Sequence, residues 1–140
     1  MSMGKTIGAI VAGVVLQSAT SYLIHQVILT PDYMASASSW RDPADITHRM
    51  WAILLANVIY VTGAVLIYAR GVENKPWPAQ GIRFGILFAL VTAVYSSIYS
   101  WVVLEVPHML AVKWICMEGI QCLLLGLLIA AILQPQSASA

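Results

Sequence analysis

Residues 108–133 read HMLAVKWICMEGIQCLLLGLLIAAIL, and this stretch decides the fold. Only Lys113 and Glu118 carry a formal charge in it. About 20 consecutive apolar residues match a hydrocarbon core about 30 Å thick, so the run is long enough to cross a bilayer as a helix. Working outward, three further apolar runs, at about 7–29, 46–69 and 79–104, meet the same condition. Together they predict an all-α fold, an integral membrane four-helix bundle threading antiparallel, up-down-up-down, as one transmembrane domain over residues 1–140. The corner at Glu105, Val106 and Pro107 is so short that the last two helices are expected to form an antiparallel hairpin.

The composition agrees. The chain is 60% hydrophobic and 9% charged, against roughly 45–50% and 25% in soluble domains. Its mean hydropathy is +0.82. The formal net charge of +1 supplies no basic patch, so nucleic acid is not expected as a partner. The lipid bilayer is the expected one.

The connections carry the polar residues. Residues 30–47 form the longest loop, containing Asp32, Trp40, Arg41, Asp42, Pro43 and Asp45. Within it, Asp45 is expected to cap the second helix. Residues 134–140 bear no charge and are expected to be disordered. At the N-terminus, Lys5 and the apolar run after it have the flavour of a signal peptide, but the run continues to Leu29, too long for such a core. Counting Lys and Arg near the span ends sets Lys5, Arg70, Lys75 and Arg83 against Arg41, Arg49 and Lys113. That count places both termini in the cytoplasm and residues 30–47 outside. Trp40, Trp51 and Trp101 on one side, and Tyr68 and Trp77 on the other, are placed as interfacial aromatics.

Depth along the spans locates the chemistry. Glu118 lies ten residues into the last helix, roughly 15 Å from its start and near the midplane. Equal counts inward reach Gln17, Asn57, and Tyr95 with Ser96, one polar contribution from each other span. Gln121 shares the Glu118 face. An ionised carboxylate alone at that depth costs at least a few kcal/mol, so Glu118 is expected to face the bundle interior, protonated or hydrogen-bonded. Two roles follow: a proton-linked or ligand-anchoring acid, or a neutral member of an interhelical network.

The same threading brings His25, His48 and His108, the chain's three histidines, to the outer rim with Glu105, Asp32, Asp42 and Asp45. Imidazole with carboxylate is the ligand set of zinc, copper or iron, which raises a rim metal site as an alternative. No HxxxH or HExxH pair is present, and no cofactor is predicted. Cys116 and Cys122 are about 240° apart around their helix and are read as small buried hydrophobes. Arg83 and Lys113, each a few residues inside a span end, are expected to snorkel to the headgroups. Gly81 and Gly85 form a small-xxx-small step for close helix packing or dimerisation. Residues 21–29 (SYLIHQVIL) and 96–104 (SSIYSWVVL) echo each other, which reads either as a duplicated hairpin or as the chance likeness of two apolar helices.

Four short-looped spans, with Gly81, Arg83, Phe84 and Gly85 opening the third and Trp114 and Gln121 in the fourth, resemble small uncharacterised bacterial four-helix integral membrane proteins. The resemblance implies only the architecture, because such proteins carry no established catalytic residues to transfer; a bacterial inner membrane is the expected location. The leading functional expectation is a non-catalytic accessory or assembly subunit of a larger membrane complex, meeting other subunits or a second copy of itself. The alternatives are a small-molecule or ion carrier using Glu118, and a metal-dependent membrane redox protein using the rim histidines.

Overall fold

The computed structural model describes residues 2–134, and every regular element among them is helical. Residues 135–140, most of the tail expected to be disordered, lie outside the described residues. Helix α1 (Met3–Tyr22) starts at Ser2, whose Oγ accepts the Lys5 backbone N–H at 3.3 Å. A π-helical segment, Leu23–Ile28, prolongs it. Four helices are long and apolar enough to cross a membrane: Met3–Ile28, Met50–Arg70, Trp77–Val103 and His108–Leu133.

The connection read as a loop is largely helical. Helix α2 (Thr30–Ala35) follows the first span directly, with Pro31 in its first turn, where the missing N–H costs nothing. A 3-10 turn, Ala37–Ser39, and a further short helix, α3 (Pro43–His48), complete it. The cap of α3 is Asp42 rather than Asp45: the Asp42 side chain accepts the Ala44 N–H at 2.8 Å, directly before a proline pre-set for the first helical position. Asp45 sits one turn in and receives Arg41 at 3.2 Å and Arg49 at 3.0 Å. The chain leaves helical geometry at Arg49, so the second long apolar helix, α4 (Met50–Arg70), begins four residues later than its apolar run.

Helix α5 (Trp77–Ala89) continues through a second π-helical segment, Leu90–Val94, into α6 (Tyr95–Val103). The turn before α5 is held by Gln80. Its Oε1 accepts the Glu73 N–H at 2.8 Å, and its Nε2 donates to the carbonyls of Glu73 and Lys75 at 2.9 and 2.7 Å. Arg83 reaches the Glu73 carboxylate at 2.8 Å. With Lys75 also on that carboxylate, the two cations hold Glu73 down to about 2.

Helix α7 (His108–Leu133) is the hub, packing against α5, α1 and, less extensively, α4. Glycine permits its closest crossing. A Cβ on Gly85 would meet the Cys122 carbonyl oxygen and the Leu123 Cα at 2.8 Å, and one on Gly81 would meet the Gly126 carbonyl at 2.9 Å. The small-xxx-small step is thus spent within the chain, on α7. One apolar cluster joins Ala9, Val61, Val65, Leu125 and Ile129, all inaccessible to solvent. A second lies towards the other end, from Ile24 and Leu29 across to Leu110 and Trp114, with Tyr33 and Trp40 packed on it.

Candidate functional site

The second cluster is not closed. Between it and α6 lies an open cleft of about 300 Å³, in the size range of small-molecule sites. Four parts of the chain build it. His25 comes from the first π-helical segment, where the wider turn is seen in the Leu29 N–H donating to the carbonyl of Ile24 at 2.8 Å. Such π turns insert a residue into a helix and re-aim those beside it, and they recur at functional sites. The second π segment stands just before Ser96, Ser97 and Ser100, which line the α6 wall.

Helix α2 lies across the start of α7 and supplies the aromatic wall. Lys113 Nζ pairs with both carboxylate oxygens of Asp32, at 2.6 and 2.8 Å. Lys113 is therefore an interhelical tie, where the sequence suggested a headgroup anchor. It sets Tyr33 over Trp114, whose Nε1–H donates to the Tyr33 hydroxyl at 2.9 Å. Tyr33 Oη in turn lies 2.6 Å from His25 Nδ1. Indole is only a donor, so Tyr33 must accept from Trp114; with its own hydrogen on Nδ1, neutral His25 carries its proton on Nε2. Burial raises the Tyr33 hydroxyl above its ordinary value, which keeps that hydrogen in place. Trp40 closes the wall edge-on to both rings, with centroids 5.1 Å from Tyr33 and 6.0 Å from Trp114. Its Nε1–H donates to Ser36 Oγ at 3.0 Å.

Glu118, on α7, is the acidic group of the cleft. Its one side-chain contact is long, 3.5 Å from Ser96 Oγ. Ser97 is 2% exposed, and its buried Oγ has no partner. A carboxylate, an imidazole and serine hydroxyls against aromatic walls form a site able to hold a polar solute and to exchange a proton with it.

The polar layer expected around Glu118 is divided. Gln121 is buried and turns to α1, donating to Thr20 Oγ1 at 2.7 Å and Ser21 Oγ at 3.0 Å. Gln17 contributes only its carbonyl, 3.4 Å from Gln121 Nε2. Asn57 donates to Ser18 at 2.8 Å, away from the cleft. Tyr95 points outward and stacks on Tyr99. The rim residues are divided as well: His25 enters the cleft, whereas His48, His108 and Glu105 are exposed. Glu105 engages through its carbonyl, which accepts from Ser39 Oγ at 2.6 Å. Among the described residues no three His, Cys, Asp or Glu side chains gather as a metal site.

Sequence reading missed Tyr33, Trp40, Ser97 and Ser100. One signal was there. In the two echoing segments His25 and Ser100 hold equivalent positions, and both line the cleft. No protein-family model, curated protein or solved structure matches this chain.

Proposed function

We propose that this chain is an integral protein of a bacterial inner membrane, its spans threading up-down-up-down with both termini cytoplasmic, and that it carries a small polar solute through the Glu118 cleft. The observation behind this reading is the convergence of Glu118, His25 and Ser97 on one open cavity. Outward-facing Val11, Val15, Ile59, Ile67, Val91 and Val102 give the spans apolar flanks suited to lipid. An acid inside such a bundle is a functional group by default, because its burial is costly and must be offset. The test is counterflow in proteoliposomes with labelled glycerol, glycine, ethanolammonium and acetate. Wild type is expected to move at least one of them at a pH-dependent rate, and Glu118→Gln none. Uptake no faster than in empty liposomes for every solute sinks the carrier reading.

A second reading, an accessory subunit of a membrane complex, draws on a different observation. Gly4 and Gly8 on α1, Gly63 on α4 and Gly119 on α7 have open space where a Cβ would sit. Small residues facing outward allow a neighbouring helix to approach closely. Mild-detergent purification with a stoichiometric partner supports it; a monomer that transports unaided removes it.

A further inference from the structure

Ser97 is the departure point. A helical serine ordinarily donates to the carbonyl three or four residues back. For Ser97 the fourth carbonyl back is that of Ala93, and it already accepts from Ser96 Oγ at 3.3 Å. The Ser97 hydroxyl is left buried and unpartnered, on a residue that lines the cleft. Unmade hydrogen bonds of this kind are costly and rare in folded chains, and a bound ligand is one explanation for them.

The other walls select the ligand. Glu118 is the one acidic or basic side chain besides His25 that lines the cleft, and Lys113 nearby is occupied by Asp32. Nothing there offers a full positive charge to an anion. A metal ion would find one carboxylate and no second acidic ligand among the lining residues. Tyr33, Trp40 and Trp114 supply aromatic surface, whose negative faces attract cations within about 6 Å.

We propose that the Glu118 cleft takes a small organic ammonium ion, its N–H groups donating to the Glu118 carboxylate and, once the Ser97 side chain turns towards the cleft, to Ser97 Oγ, with its alkyl groups against Trp40 and Trp114. This rests on reading the cleft as a solute site. The cation neutralises the carboxylate, satisfies the serine and uses the aromatic wall. No neutral or anionic solute does all three. The ammonium could belong to a free amine or to a lipid headgroup, and the chemistry at the cleft is the same.

The test uses the full chain in nanodiscs of phosphatidylglycerol, followed by calorimetry and by the Trp114 indole N–H resonance. Ethanolammonium is expected to bind and to shift that resonance. Tetramethylammonium, which has no N–H to give, should bind about tenfold more weakly, as expected for loss of a charge-assisted hydrogen bond. Ethylene glycol and acetate should not saturate. Ser97→Ala should weaken ethanolammonium about tenfold and leave tetramethylammonium unchanged, while Ser97→Thr keeps both. Glu118→Gln should abolish both; if it does not fold, the wild-type probe series and the two Ser97 variants still decide. Competition by phosphatidylethanolamine added to the nanodisc identifies a headgroup source, and its absence a free amine. Saturation by glycol or acetate in preference to ethanolammonium overturns the ammonium assignment but leaves the cleft a solute site. No response to any probe overturns both.

Discussion

Tyr33 Oη stands 2.6 Å from His25 Nδ1, joining a helix of the connection between spans to the π turn that ends the first span. The same hydroxyl accepts the Trp114 indole N–H, so one oxygen holds three elements together. Tyr33→Phe leaves a part-buried donor and a ring nitrogen unpaired. A loss of about 1–3 kcal/mol is expected, read by thermal unfolding in detergent, together with an upfield move of the Trp114 indole proton. An unmoved indole resonance would show that this bond does not form.

The Lys113–Asp32 pair holds α2 against α7, with the two side chains 43% and 23% exposed. That exposure limits its contribution to about 1 kcal/mol or less. Lys113→Met is therefore expected to change global stability little. It should instead speed amide hydrogen exchange in α2 selectively, leaving α5 unchanged. Equal acceleration in both helices contradicts a local tie.

At the α5–α7 crossing, Gly85→Ala drives a methyl group into backbone atoms that have no rotamer to escape into. A cost of about 1–3 kcal/mol is expected. Gly119→Ala is the control, because its Cβ would meet nothing within 4 Å. It should be neutral or stabilising by up to about 1 kcal/mol in the isolated chain. The order of the two melting temperatures checks the crossing.

Acid should loosen the turn between α4 and α5. Lys75 and Arg83 lower Glu73 from an ordinary 4.5 to about 2. A depressed carboxyl contributes stability that is fully present above 4.5 and is lost as pH falls towards 2. Protection of the residue 71–75 amides, taken as exchange relative to the intrinsic rate at each pH, should fall across that window in the wild type. In Glu73→Gln the pH dependence should vanish, and in the wild type high salt should diminish it, since the pair is exposed. A wild-type profile flat between those values removes the ion pairs from the account.

The four long apolar helices were legible in the chain, because a run of about 20 apolar residues leaves the backbone little choice where water is excluded. Pro107 marked a helix start for an equally local reason, a preset φ and a missing N–H, whereas Pro31 was read as the end of the first span and the helix it opens was not foreseen. Gly81 and Gly85 announced a close crossing, though not that α7 would fill it.

The cleft was another matter. Glu118 and His25 were visible as isolated polar groups, but residue counts give depth along a helix and not direction around it. The two π turns each shift that direction for the residues beyond them, and residue counting alone did not show that Ser97 would line the cavity while Tyr95 turns outward. Equal depth likewise grouped His25 with His48 and His108, yet only the first turns inward. Sequence alone determined which residues lie in the four long apolar helices, through periodicity-independent hydrophobicity and chain stiffness. Tertiary structure alone decided which of their polar groups meet, because the contacts of Tyr33 and Lys113 cross between elements, and no local pattern encodes a partner 81 residues away in the chain.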